Sequence, residues 1–548
     1  VSITGIRWAG PRALLVELAD LNSVLAFHQR VQAAPLPGQL DAIAAAATVL
    51  VKFASQAQAR GARTAVEQFQ LEGARKVGGR EVTIEVVYDG EDLAEVGRLT
   101  GLGADGVVAA HTGQLWTAAF GGFAPGFAYL VGGNNSLTVP RRPTPRTAVP
   151  AGSVALGGEF SAVYPRQSPG GWQLIGRTSA VMWDLEREQP ALIRPGDTVR
   201  YVAVDSLTEP AGAALISMEE TDADRPDAVR SGLEILQPGL QSLLQDLGRP
   251  GLGDLGVSAS GAADQQSARQ ANRLVGNGPA AAVVENLLGG LTVRALGDQV
   301  AAVTGAAAPL EVRSAEGVLL RRPDPCAPFA LLDGESLTAG APALGLRTYL
   351  AVRGGFDVPS VLGSRSTDTM SGLGPAPLAA GTRVRVAPAT ERTSVGHPEP
   401  SALRVGAGTT ELRVTLGPRE DWFPEEAVQV LTQQQWQVSD QSNRIGVRLV
   451  PDPGRGRPLE RSRTGELPSE GAVAGALQVP PSGHPVIFLA DHPITGGYPV
   501  IAVVIPEDLP AAAQVPPGGH VRFTVVDAAT LEPLAQAAKD TISERIPS

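Results

Sequence analysis

Gly170-Gly171-Trp172-Gln173-Leu174-Ile175 recurs, altered, as Gly496-Gly497-Tyr498-Pro499-Val500-Ile501. Each copy follows an Ala-Gly-small-apolar start, Ala151-Gly152-Ser153-Val154 in the first and Ala474-Gly475-Ala476-Leu477 in the second, 19 and 22 residues before the glycine pair. Each then runs into a turn and a strand, Pro195-Gly196-Asp197-Thr198-Val199-Arg200-Tyr201 and Pro517-Gly518-Gly519-His520-Val521-Arg522-Phe523. A third ending of this type, Ala380-Gly381-Thr382-Arg383-Val384-Arg385-Val386, lies between them. Self-similarity on this scale predicts related β modules, with chemistry where they face one another. A glycine pair before aromatic and apolar residues is also an ordinary strand entry, so convergence is the alternative.

Working outward, 548 residues exceed one hydrophobic core and predict roughly three to five domains. Residues 1–78 alternate strand (13–18, 48–53) and helix (21–34, stopped by Pro35) signals, the pattern of a small α/β sandwich. Residues 79–218 open on a period-2 strand at 82–87 and two short helices at 91–100 and 103–113. They continue as Gly- and Pro-rich short apolar runs, which predicts an irregular β-barrel. The acidic stretch 219–230 reads as a linker, and 388–401 as a second. Residues 231–387 form a further β module with a helix at 263–274 ended by Gly276-Asn277. The last β module spans 402–548 and carries a terminal helix at 531–544.

Composition excludes several classes. A net charge of -11 and a pI near 5.2 argue against a nucleic-acid partner. No apolar run of about 18 residues marks a membrane span, and the cytoplasm is the expected compartment. Arginine outnumbers lysine, with Lys52, Lys76 and Lys539 the only lysines. None sits at the Gly-rich turn a P-loop needs. None stands beside Met182, Met218 or Met370 as in a biotin carrier loop, so no covalently bound biotin is expected, and the Ser-Ser-Lys amidase device is missing too. Cys326 is alone and reads as a structural thiol, and the six histidines contain no His-x-x-x-His pair, so no metal site is assigned.

Four strings carry candidate chemistry. Phe123 to Leu130 packs Phe123, Phe127 and Tyr129 around a Pro-Gly turn, suiting a rigid apolar wall. Tyr164 to Trp172 brings a hydroxyl (Ser168), a guanidinium and an indole into one loop, with Arg177 beyond it as an anion binder. In the second part, Asp246 and Arg249 flank a tight turn and Asp264 starts a helix. Glu285 stands in the apolar run 282–288 as either an ion-pair partner or a functional acid. Asp491 and His492 sit at a strand end before Thr495-Gly496-Gly497-Tyr498, near the polar turn of Asp440, Ser442, Asn443 and Arg444.

In order, these strings resemble a known family. Gly122 to Leu130, Pro140-Arg141-Arg142, Val149 to Val154 and Ser168 to Thr178 resemble allophanate hydrolase subunit 1, also described as the B subunit of 5-oxoprolinase and as a Kip-type kinase inhibitor. Gln245 to Gly251, Gly355 to Pro359, Leu362 to Asp368 and Thr495 to Pro499 resemble subunit 2, the C subunit. The pair, fused, is also similar to the carboxyltransferase region of urea carboxylase. The resemblance implies a mainly β, α+β fold: cyclophilin-like β-barrels, one in the first part and two in the second, plus the N-terminal α/β sandwich. His492 stands where the family pattern leads to an arginine, Ile445 where it leads to a methionine, and Ala263 precedes Asp264 in place of another.

The same resemblance implies a B–C component of an ATP-dependent 5-oxoprolinase, using ATP and Mg²⁺ with a separate A subunit on a small lactam or amide. A homo-oligomer is compatible with it. On this reading Asp246, Asp264, Glu285, Asp491 and His492 serve metal or proton chemistry. Phe127, Arg141, Tyr164, Ser168, Trp172, Arg177, Arg249, Arg444, Thr495 and Tyr498 bind substrate or anion. A biotin-dependent carboxyltransferase module and a histidine-kinase regulator are the alternatives. Neither part alone holds a full acid, base and anion set, so Arg177 or the 123–129 loop is expected to face a cleft shared with the second part.

Overall fold

The computed structural model describes residues 2–69, 79–144, 146–207, 231–389, 393–465 and 467–534. The N-terminal unit is built from β1 (Ile3–Trp8), β2 (Ala13–Leu18), α1 (Leu21–Ala33), β3 (Gln39–Ala44), β4 (Thr48–Phe53) and α2 (Gln56–Glu67). Its antiparallel sheet has the order β1-β2-β4-β3. Asp20 and Ser55 cap the two helices through their side chains, and Val24, Phe27, Val31, Ala59, Ala62 and Val66 pack onto one sheet face. The other face is also apolar. Ala13, Leu15, Ile43 and Leu50 pack against Ile494 of the last module, so this sheet is buried on both sides.

The first barrel comprises β5 (Glu81–Val86), α3 (Leu93–Thr100), α4 (Gly103–Thr112), β6 (Leu115–Gly121), β7 (Ala128–Gly132) and β8 (Arg146–Val149). It continues through β9 (Ser153–Gly157), β10 (Phe160–Val163), β11 (Ser168–Gly170), β12 (Gln173–Arg177) and β13 (Thr198–Ala203). The sheet runs β12-β9-β10-β7-β6-β13-β5, and a Val87–Arg177 bridge joins its ends.

The middle module contains β14 (Gly232–Pro238), β15 (Gln241–Gln245), α5 (Gln265–Leu274), β16 (Val283–Leu287), β17 (Leu291–Leu296) and β18 (Gln299–Gly305). Strands β19 (Leu310–Arg313), β20 (Leu319–Arg321), β21 (Phe329–Leu331), β22 (Ser336–Ala339), β23 (Arg347–Val352) and β24 (Arg383–Arg385) complete it. A six-stranded and a five-stranded sheet share one core, with Leu233, Val293 and Val312 from one and Val284, Val303 and Leu350 from the other.

The last module holds β25 (Thr410–Leu416), α6 (Glu425–Gln433), β26 (Trp436–Val438), β27 (Gly446–Pro451) and β28 (Glu470–Gly471). It ends with β29 (Ala476–Gln478), β30 (Val486–Phe488), β31 (Thr495–Gly496), β32 (Val500–Val504), α7 (Leu509–Ala512) and β33 (His520–Val525). It closes as β25-β32-β29-β30-β27-β26-β33.

The two outer barrels match strand for strand. Both pair their first and last long strands in parallel, β5 with β13 and β25 with β33. Both set a small two-stranded sheet beside the barrel, β8 with β11 and β28 with β31. Gly152 and Gly475 occupy the same place at φ 77° and 87°, each donating its N–H to the residue ending the neighbouring strand, Tyr164 or Phe488, at 2.8 Å. The indoles of Trp116 and Trp436 each donate to a carbonyl five residues back at the end of the preceding helix, at 2.9 and 3.0 Å. Replacing either indole with phenylalanine leaves a buried carbonyl unpaired. The expected loss is about 1–3 kcal/mol in the denaturant stability of that barrel, and equal losses at both sites would mark equivalent positions.

Three local expectations change. The third turn-and-strand ending, β24, pairs only antiparallel with β14 at a sheet edge, whereas β13 and β33 each have a parallel and an antiparallel neighbour. Residues 393–401 are strapped to the protein by Arg273–Glu399 (2.5 Å) and by Gly396 N–H to Leu274 O (2.8 Å) rather than linking freely. No helix begins at Leu531, which has φ 61°, and Val526 bridges Pro533 instead. The rest of that expected helix and the 219–230 linker lie outside the described residues. Among the described residues no helix is long and apolar enough to cross a membrane.

Candidate functional site

The turn between β6 and β7 places the aromatic string. Gly126 at φ 77° makes the Pro-Gly turn, and Phe123 holds φ 64°, costly for a bulky side chain. Phe127 lies edge-on to Tyr129 (5.1 Å), Tyr164 (5.4 Å) and Trp172 (5.6 Å), and all four rings are buried. Edge-to-face packing fixes their orientation and makes one rigid apolar wall. Burial pushes the Tyr164 phenol up to about 12, so it stays protonated. Ser168 Oγ is held near the Arg166 carbonyl at 3.4 Å.

A cationic rim borders this wall. The Arg141 guanidinium is 5.9 Å from the Trp172 ring centre. Arg142 and Arg146 both bind Asp92, at 2.7 and 2.9 Å. Burial works against the Asp92 charge, but Arg146, the Leu174 N–H and Arg142 hold its pKa below the usual carboxylate value. Among the described residues, Arg142 Nε and Arg146 Nη1 are buried donors with no acceptor.

Residues of the second part close the wall. A Cβ on Gly121 would lie 2.3 Å from the Asp254 carbonyl, and one on Gly122 would lie 2.6 Å from Thr495 Oγ1. Gly126 N–H donates to Leu255 O at 3.2 Å, and the Tyr129 phenol lies beside Ser469 and Thr495. The 123–129 loop therefore faces a seam shared by both parts. Arg177 does not: its side chain is exposed and pairs with Asp89 at 2.8 Å on the first barrel's outer surface. Tyr498 is also exposed, 5.7 Å beneath the Arg461 guanidinium.

The acidic candidates of the second part gather in a different place, between the middle and last modules. Arg444 donates from Nε and Nη2 to Asp491 at 2.9 Å each, from Nη1 to Glu285 at 2.5 Å, and from Nη2 to Gly261 O at 2.6 Å. Ser260 Oγ and the Thr369 N–H and hydroxyl add to Asp491. The Tyr349 hydroxyl and Ala263 N–H add to Glu285. Burial alone would raise Asp491, but Arg444 holds its carboxyl below the usual range. Asp246 accepts from Ser364, Ser366, Gly248 N–H and Arg365 N–H, and Asp264 caps α5 through Ser267 while binding Gln514. Arg249 spends its donors on the carbonyls of Val361 and Ser366, leaving Nη1 unpaired. Asp264, Glu285, Asp491 and Arg444 thus spend their hydrogen bonds on contacts that join the middle and last modules, while Asp246 braces a turn within the middle one.

His492 is buried against Phe488 with its ring stacked at 5.5 Å, and its Nδ1 N–H donates to Pro493 O at 2.8 Å. Burial, reinforced by the charge of Lys52, brings its pKa down to about 3. Its folded value lies below its unfolded one, so the stability it carries is complete above about pH 6.5 and is lost as pH falls toward 3. An NMR titration is expected to show no protonation of this imidazole between pH 8 and 5.

Sequence reading passed over Arg419 and Asp368. Arg419, buried, binds Glu470 (2.9 Å) of its own module and Glu17 of the N-terminal sheet. Asp368 accepts from Ser258 (2.9 Å). Burial, then the nearby Asp491 charge, raises its pKa. Arg419 and Glu17 are 402 residues apart and Ser258 and Asp368 are 110 apart, so neither pairing is readable from local sequence.

Comparison with known proteins fits this geometry. Residues 4–193 match the family model described as carboxyltransferase domain, subdomain C and D, and residues 255–525 match subdomain A and B. The chain is 36% identical over 300 residues to the C subunit of 5-oxoprolinase from Escherichia coli, covering 53% of this chain and 90% of that protein. It is 43% identical over 127 residues to the B subunit of 5-oxoprolinase from Haemophilus influenzae, covering 23% of this chain and 60% of that one. The crystal structure of TTHA0988 aligns with a TM-score of 0.80 at 34% identity, over 94% of this chain and 99% of that one. Sequences similar to two separate subunits thus fold here around a common seam, and the chain belongs to the carboxyltransferase-domain family, with subdomains C and D preceding A and B.

Proposed function

We propose that this chain is the B–C component of an ATP-dependent 5-oxoprolinase, which opens the 5-oxoproline lactam to glutamate together with a separate A subunit. The observation that supports it is the closure of the B-like aromatic wall by C-like residues, Gly122 against Thr495 and Gly126 N–H on Leu255 O. The wall offers an apolar surface, and Arg141, exposed at its edge beside Trp172, suits a substrate carboxylate.

ATP would activate the lactam by phosphoryl transfer, but the residues expected to hold it do not fit. Asp246, Asp264, Glu285 and Asp491 already accept two or more protein hydrogen bonds each. Among the described residues no group of three His, Cys, Asp or Glu side chains is arranged for a metal. In this reading nucleotide and Mg²⁺ are carried mainly by the separate subunit, and this chain positions the lactam.

The test mixes the purified chain with a matching A subunit, ATP, Mg²⁺ and 5-oxoproline. Glutamate and substrate-dependent phosphate are expected together, and their joint absence would refute the reading. A second reading, a carboxyltransferase module served by a separate biotin carrier, is favoured by the match of both parts to carboxyltransferase models. Avidin would then abolish activity, whereas the 5-oxoprolinase reading expects no effect.

A further inference from the structure

Beside the aromatic wall, one charged pair on the buried sheet is left open. Lys52 on β4 lies directly opposite Asp41 on β3. Alternation puts both on the face of Leu50 and Ile43, which packs against Ile494 of the last module. Directly opposed residues have Cβ atoms about 4.5–5.5 Å apart, a spacing that invites an ion pair. Yet among the described residues the Lys52 ammonium makes no hydrogen bond and no ion pair. Asp41 accepts from the Ala42 N–H (3.0 Å) and lies close against Gly253 of the middle module.

The surroundings are polar and drawn from three units. Asp254 is occupied by His28 Nε2 at 2.9 Å and Gln32 at 2.6 Å. His492 donates from Nδ1 to Pro493 O, which leaves Nε2 an acceptor, with no hydrogen bond to it among the described residues. Lys52 is surrounded deeply enough for burial to lower its pKa, yet retains part of its accessible surface. That residual surface is where a small molecule would reach the side chain. The charged and titratable groups around it are Lys52, Asp41, Asp254, His28 and His492.

We propose that Lys52 and Asp41 together receive one edge of a small cis-amide, the C=O oxygen accepting from the Lys52 ammonium and the adjacent N–H donating to the Asp41 carboxylate. A lactam or ureido group presents an acceptor and a donor side by side on one edge, the complement of a donor and an acceptor held on neighbouring strands. An isolated carboxylate ligand matches less well, because Asp41 and Asp254 would face it. The ammonium bond strengthens as the carbonyl oxygen gains negative charge, so the contact also polarises the bond to be opened. The inference rests on the proposed function only for the choice of an amide as substrate.

The experiment is calorimetric binding of 5-oxoproline to the full chain without ATP, compared with its N-methyl derivative, which keeps the carbonyl but lacks the N–H. Wild type is expected to bind 5-oxoproline at least tenfold more tightly than the N-methyl compound. Lys52→Met is expected to weaken 5-oxoproline binding at least tenfold, and Asp41→Leu to erase the discrimination between the two ligands. Lys52→Met replaces a desolvated cation with an apolar chain of similar length, so it should fold, and the N-methyl comparison needs no variant. Equal affinity for both ligands in wild type, unchanged affinity in Lys52→Met, or no binding of either ligand would overturn the proposal. Binding as described without turnover in the assembled system would instead overturn the proposed reaction and leave the amide receptor standing.

Discussion

Arg444→Met is expected to destabilise the folded chain by about 3–5 kcal/mol, the cost of leaving buried carboxylates without their cation. Glu285 and Asp491 are both buried and both bonded to that guanidinium, and Arg347, 3.6 Å from Glu285, is the other cation beside them. The pH dependence separates this cause from lost packing. In wild type the Asp491 carboxyl is held low, so its stabilisation is present above about pH 4 and disappears as pH falls through the folded value. In Arg444→Met burial would oppose the Asp491 charge without that cation, raising this carboxyl above its unfolded value. The deficit should then be largest near pH 7 and shrink on acidification, when the protonated acid is buried at lower cost. Urea unfolding of both proteins at pH 7 and pH 5 measures this. A deficit that does not change with pH would assign the loss to packing alone.

Cutting the chain at about residue 222 is expected to give two proteins inactive alone and active when mixed. Tyr129, Gly121 and Gly122 of the first part meet Ser469, Thr495 and Asp254 of the second, so neither half retains a closed seam. Arg419 is the residue that should govern reassociation, because it is buried and bridges Glu17 in one half to Glu470 in the other. Burial opposes its charge, but Glu470 and Glu17 hold the guanidinium protonated. Arg419→Leu should weaken reassembly by about 3–5 kcal/mol, a factor on the order of 10²–10⁴ in the dissociation constant. Titrating one half with the other while following activity reads both effects. Full activity from either half alone would remove the shared seam from the mechanism.

The repeat read from Trp172 and Tyr498 identified two barrels of one topology, because glycine at a positive φ and a strand-entry aromatic are local requirements carried by local residues. The helices α1, α4 and α5 were legible for the same reason, each with apolar spacing and an end signal. The string around Phe127 was likewise recognisable as an apolar wall, whereas Tyr164 and Trp172 read as a polar loop and only packing adds their rings to that wall. Charge was legible only as an inventory. Glu285 in an apolar run announces that it needs a partner, yet nothing near it names Arg444, 159 residues away. Asp491 next to His492 reads as an acid–base pair, but the fold sends the carboxylate to Arg444 and the imidazole to Phe488. Local sequence thus determined the strands, turns and aromatic wall, whose energetics depend on backbone preference and side-chain spacing. Tertiary structure decided which charges neutralise one another and which, like Lys52 and Asp41, remain open, because desolvation makes a buried charge depend on whatever distant group the packing brings beside it.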